Sequence, residues 1–217
     1  MHRRHVLSLA ATAGVAASVF KPVVAWAQAG AFRAGPDFLP VSPLAPVDAP
    51  AGKIELIEFF WYNCPHCNAF EPVLSPWVKQ LPSDVVFKRI PVAFNDSMVP
   101  QQRLFYALQA MGSLEQLHAR VFAAIHVGKI DLKRGDAITN WLVQQGVDRT
   151  AFASHFTSVG VATQASRAIQ MTQAYRVDGV PALGIAGRYY TDGALAGSME
   201  RLLRVAEFLI EQVRAGR

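Results

Sequence analysis

The chain has 217 residues, 52% apolar and 17% charged, which suits one full hydrophobic core and excludes an intrinsically disordered chain. Its formal net charge of +5 comes from 21 basic and 16 acidic residues, but Arg3, Arg4 and Lys21 fall in an acid-free N-terminal segment; without them 18 basic residues face 16 acidic ones, and +2 makes no case for nucleic acid or anionic lipid as a partner. The two cysteines, Cys64 and Cys67, sit in one four-residue motif, which excludes a disulfide-rich scaffold and a four-cysteine zinc site.

In chain order, the basic stretch His2 to His5 precedes an uncharged run from Val6 to Phe20. Small-x-small cleavage sites follow, one ending at Ala27 and one at Ala29. This layout predicts a secretory signal peptide over residues 1–27 or 1–29. The apolar run is shorter than the ~20 residues that a membrane anchor needs. Arg3-Arg4 also resembles a twin-arginine export signal. Either route places the mature chain outside the cytoplasm, where two thiols are available for disulfide chemistry.

Residues 30–52, rich in Pro, Gly and small residues, read as an extended lead-in with a short edge strand near Phe38-Leu39. The run from Ile54 to Phe60 predicts a strand inside a sheet covered on both faces. Helical composition follows the cysteine motif as far as Lys79, with Pro72 expected to kink the helix and Pro76 to mark a second break or a restart. Val85 to Ile90 is the next strand. From 97 to 175 the pattern is helical throughout: Gln101–Met111, Leu114–His126, Asp136–Gln145, a segment capped by Asp148 through Phe156, and Gly160–Tyr175. Strands return at Val180–Ile185 and Arg188–Tyr190, joined by a turn at Ala186-Gly187, and Ser198 caps a last helix from Met199 to about Val213. Neither outer piece closes a core alone. The pattern predicts an α/β fold in which residues 50–96 and 177–214 share one sheet around a helical insertion over 97–176.

Cys64-Pro65-His66-Cys67 lies where a strand meets a helix. Two thiols at this spacing can close a disulfide across the first turn. Cys64 falls where free N–H groups and the helix dipole favour an anion, so its pKa is expected well below the free-thiol value, in the range of about 3.5 to 5. Cys67, one turn on, is the expected resolving thiol. His66, when protonated, adds charge that favours the thiolate, and Pro65 fits the first turn. Stabilising the reduced form makes a strong oxidant. The competing readings are half of a metal site and a structural disulfide. His118, His126 and His155 lie in the helical block without ligand spacing to the motif, and His118 and His126 read as helix-surface residues.

With these residues in hand, the chain resembles the DsbA family of the thioredoxin superfamily. The matching residues are Glu58-Phe59-Phe60, Trp61-Tyr62-Asn63, Cys64-Pro65-His66-Cys67 and Gly179-Val180-Pro181, together with the helical insertion. The resemblance covers roughly residues 50–214 and implies a thioredoxin-like fold with an inserted all-helical domain. It implies a monomeric periplasmic thiol:disulfide oxidoreductase that needs no soluble cofactor and passes the Cys64–Cys67 disulfide to exported proteins with free thiols. It further implies regeneration by a DsbB-like, quinone-linked membrane partner.

Glu58 resembles the family's buried acid beneath the active site, with Lys88 or Arg89 as its partner. Pro181 resembles its cis-proline, with Val180 presenting backbone groups to an extended client. Trp61 and Tyr62 are candidates for an apolar, client-binding rim. A thioredoxin-like reductase, a disulfide isomerase and a chaperone without turnover stay open as alternatives.

Overall fold

The computed structural model describes residues 32–216, so the signal-peptide assignment lies outside the described residues. The elements are β1 (Leu39–Pro40), β2 (Ile54–Phe60), α1 (Pro65–Val78), β3 (Val85–Pro91), α2 (Val99–Ala110), α3 (Leu114–His126), α4 (Gly135–Gln144), α5 (Arg149–Phe156), α6 (Val159–Ala174), β4 (Ala182–Ile185), β5 (Tyr189–Asp192), α7 (Gly193–Ala196) and α8 (Met199–Ala215). The five strands form one mixed sheet in the order β1-β5-β4-β2-β3. β2 and β3 run parallel, and the other neighbours are antiparallel.

β2 is buried over all seven residues, as its near-continuous apolar run requires for a strand covered on both faces. On one face Ile54 and Leu56 pack with Leu183 and Ile185 of β4, Phe70 and Leu74 of α1, and Leu202, Val205 and Leu209 of α8. The alternate residues Ile57 and Phe59 belong to a second core with Tyr175 and the helices α2 to α6. The helical insertion thus covers the sheet through a core of its own.

The helix ends follow their caps. Asp148, Ser158 and Ser198 accept from the backbone N–H three residues on. The Ala186-Gly187 turn holds both residues at positive φ, 51° and 69°, closed by Arg188 N–H donating to Ile185 O at 2.9 Å.

The break or restart expected at Pro76 does not occur. Pro72 and Pro76 lie inside one continuous helix from Pro65 to Val78. Both are exposed, whereas Phe70 and Leu74 anchor the opposite side. The hydrogen bonds that the prolines remove therefore lie on the side open to water, which can satisfy the freed carbonyls.

Gly184 sits where the β4 backbone meets the Tyr175 ring. A Cβ at this position would lie 2.6 Å from Tyr175 Cε1. That ring packs at a tilt against Phe59 with centroids 5.3 Å apart, and its hydroxyl accepts from Gly187 N–H at 2.8 Å. Gly184→Val is therefore expected to cost roughly 1–3 kcal/mol by overpacking. Urea unfolding should show a lower midpoint, and an unchanged midpoint would contradict this contact.

Candidate active site

Cys64 is the N-cap of α1, with an extended backbone (φ −80°, ψ 119°), and Pro65 opens the helix behind it. Its Sγ accepts from Cys67 N–H at 3.4 Å, so a sulfur does the work of a capping oxygen. Cys64 N–H donates to Trp61 O at 3.0 Å, which ties the motif to the end of β2. Across the site, Val180 O lies 3.3 Å from Cys64 Sγ and accepts from its thiol. The Val180–Pro181 peptide bond is cis. Residues 116 apart in sequence therefore face each other over the cysteine.

The two sulfurs have opposite proton affinities. The Cys64 thiol is lowered to about 6, chiefly by the hydrogen bond that Cys67 donates to it. Burial opposes this, the backbone N–H groups of Cys67 and His66 add to it, and the His66 charge contributes least. The fall is smaller than the sequence motif suggests, because the cysteine is buried and His66 points outward. Cys67 is fully buried and pushed far above an ordinary thiol, first by burial, then by its bond to Cys64 and the Cys64 charge, with the Glu58 charge adding to the rise.

Glu58 is 1% exposed, so it is no solvent-facing strand end. Its partner is Arg89, whose Nε donates to Oε2 at 2.9 Å. Strand parity explains the choice between the two candidates. Glu58 stands beside Arg89 in the β2–β3 register, and both point to the α1 face. Lys88 points to the other face and pairs with Glu55 at 2.5 Å. Burial pushes Glu58 up to about 8 against the pull of Arg89.

Tyr62 departs from the expected rim. It is 1% exposed, and its ring packs edge-on against Phe60 and Phe122. Its hydroxyl lies 2.8 Å from Nδ1 of His118. An aromatic side chain this deep cannot meet a client. Trp61 is half-buried, packs against the same core, and stays nearer the surface.

His118 is a second correction: it is buried and not a helix-surface residue. His126 is half-buried, and its Nε2 lies 2.8 Å from Tyr62 O. Glu71, also not anticipated, accepts from Arg89 Nη2 at 3.0 Å. The available signals were helical: Glu71 is one turn after Cys67, and His118 is one turn before Phe122. Beside Pro65 and Asn63 lies a cavity of about 370 Å³, also lined by Ile125, His126, Lys129 and Lys133. Among the described residues, no three His, Cys, Asp or Glu side chains are grouped as metal ligands would be.

A dithiol at a helix N-terminus, on a sheet of this topology with a cis-proline loop opposite, defines a thioredoxin-type thiol:disulfide oxidoreductase. Residues 85–204 match the DSBA-like thioredoxin domain family. The chain is 44% identical over 207 residues to the thiol:disulfide interchange protein DsbA of Bordetella parapertussis, covering 95% of each protein. It is 40% identical over 191 residues to that of Burkholderia cepacia, covering 88% of this chain and 90% of the relative. The crystal structure of Pseudomonas aeruginosa DsbA superposes with a TM-score of 0.81 at 38% identity, covering 85% of this chain and 96% of that one. The chain belongs to the DsbA family of thiol:disulfide oxidoreductases.

The split between the two sulfurs sets a pH dependence. Cys64 has a lower proton affinity in the folded reduced protein than in the unfolded chain. The stability this gives the reduced form is full above the ordinary thiol range of about 8.5 and is lost as pH falls through about 6. Thiolate absorbance of the reduced protein should titrate with a midpoint near 6 and vanish in Cys64→Ser. A midpoint above 8 would contradict the capped-thiolate geometry.

Proposed function

We propose that the protein is a periplasmic dithiol oxidase that donates the Cys64–Cys67 disulfide to exported proteins carrying free thiols. The observation that carries this reading is the unequal pair of sulfurs. A stabilised Cys64 thiolate lowers the free energy of the dithiol, so the disulfide form gives up its bond readily.

In the cycle, a client thiolate attacks Cys64 Sγ of the disulfide. A client–Cys64 bond forms, the Cys64–Cys67 bond breaks, and Cys67 leaves with the electron pair. Its high proton affinity means that it takes up a proton at once. Glu58, buried and protonated near neutral pH, is the general acid that supplies it. A second client thiolate then attacks the client sulfur of the mixed disulfide, which releases oxidised client and the Cys64 thiolate. The enzyme gains two electrons and needs no soluble cofactor. A quinone-linked membrane partner of the DsbB type takes those electrons and restores the disulfide.

Val180 and Pro181 form the client side of the site. Val180 O already points at Cys64 Sγ, and the backbone just before β4 suits an extended chain laid beside it. Trp61 contributes apolar surface at the edge. Residues 50–96 and 177–214 form the redox domain, residues 97–176 its helical insertion, residues 1–27 the export signal, and the mature protein acts as a monomer.

A reduced, unfolded client that needs disulfides for activity provides the test. Oxidised protein should restore client activity while becoming reduced itself. Cys64→Ser and Cys67→Ser should each abolish the activity, because neither variant can form the Cys64–Cys67 disulfide that the client thiolate attacks. Client recovery that survives Cys64→Ser would instead support a chaperone without turnover.

A further inference from the structure

Glu71 and His118 play no part in the sulfur chemistry above, yet both are built against it. Arg89 donates through Nε to Glu58 Oε2 at 2.9 Å and through Nη2 to Glu71 Oε1 and Oε2 at 3.0 and 3.1 Å. One guanidinium is thereby divided between two carboxylates. Glu71 also accepts from the Ser75 hydroxyl. His118 stands behind Glu71. Its Nε2, buried and without a hydrogen-bond partner, faces Glu71 Oε2 at 3.6 Å, while Nδ1 lies 2.8 Å from the Tyr62 hydroxyl. A carboxylate opposite Nε2 favours the tautomer protonated there, which leaves Nδ1 to accept the Tyr62 O–H. The ring is wedged edge-on by Phe60, Phe105 and Phe122.

We propose that His118 is a positioning residue for the thiol–disulfide step: its Nε2–H holds the Glu71 carboxylate in front of Arg89, so that the guanidinium is shared and Glu58 is left able to carry the proton that Cys67 exchanges. The inference rests on the dithiol-oxidase reading and adds the reason why Glu58 can hold a proton beside an arginine. In the step concerned, the client sulfur bonds to Cys64, the Cys64–Cys67 bond breaks, and the departing Cys67 sulfur takes the proton of the Glu58 carboxyl.

The charges around Glu58 come from every side that packs on it. β3 brings Arg89, α1 brings Cys67 and Glu71, the segment before Cys64 brings Tyr62, and α3 brings His118 behind Glu71. The Lys88–Glu55 pair lies on the opposite sheet face. Burial raises Glu58, Arg89 opposes it, and the Glu71 charge adds to the rise. Glu71 itself is pushed up by burial, but His118 Nε2, facing it at 3.6 Å, and the Arg89 charge outweigh this and hold it below its ordinary value. Burial lowers His118, which keeps the imidazole a neutral donor at pH 7. Glu71 therefore takes the negative charge and Glu58 the proton. If Glu71 turns away or loses its charge, the whole guanidinium falls to Glu58, and Glu58 ionises more readily.

The test is carbon NMR of the reduced full-length mature protein labelled at the glutamate carboxyls, with the Glu58 resonance assigned by its loss in Glu58→Gln. In the unsubstituted protein Glu58 should titrate near 8. Glu71→Gln should lower that midpoint by about one unit or more. His118→Phe should move it in the same direction, and His118→Gln, whose amide can still donate, should restore it. An unmoved midpoint in His118→Phe, with circular dichroism and thermal unfolding showing a folded protein, would overturn the proposal. Should His118→Phe not fold, an unmoved midpoint in Glu71→Gln would do the same. Client oxidation is assayed on the same samples. Failure of the unsubstituted protein to oxidise client would sink the dithiol-oxidase reading, whereas the NMR shifts report on the charge sharing alone.

Discussion

The chemistry of this protein depends on a sulfur anion placed where a helix lacks hydrogen-bond acceptors. Cys64 caps α1 through Sγ, accepting from the Cys67 backbone and from the Cys67 thiol. The same hydrogen bond lowers one cysteine and raises the other, so the dithiol divides into a ready thiolate and a buried thiol that keeps its proton. The rest of the fold holds that geometry. β2 delivers the motif from a fully buried strand, Pro65 starts the helix behind it, and Phe70 and Leu74 pin α1 to the sheet. The strand β4 begins just after the Val180–Pro181 bond, which sets the Val180 carbonyl over the reactive sulfur.

Beneath the cysteines the sheet carries two acid–base pairs, one on each face. Glu55 with Lys88 and Glu58 with Arg89 are separated by the pleat. Buried ion pairs add little stability when desolvation offsets their attraction, so the Glu58–Arg89 pair is better understood by what it does to a proton. Arg89 is shared with Glu71, and burial dominates at Glu58. An acid that stays protonated near neutral pH, next to a thiol that must gain and lose a proton, is the consequence.

Much of this is legible in the sequence because local rules and tertiary demands agree. The apolar run of β2, the caps at Asp148 and Ser198, and the Ala186-Gly187 turn all form where their residue types direct. The unforeseen features depend on which side of an element faces the core. Pro76 does not break α1 because it falls on its exposed side. Lys88 and Arg89 are indistinguishable until the β2–β3 register assigns each to a face. Tyr62 and His118 are polar residues that satisfy each other inside an aromatic cluster. Their pairing spans 56 positions and leaves no local pattern. The short helix α7, capped by Asp192, is four residues long and carries no periodicity to detect.

The central claim is that the fold stabilises the dithiol over the disulfide through the Cys64 thiolate. The reduction potential of the protein, measured by equilibration with glutathione redox buffers, tests it most directly. A value near about −120 mV is expected of a protein that donates its disulfide to exported clients. A value at or below about −230 mV would contradict the account and move the protein to the reductases.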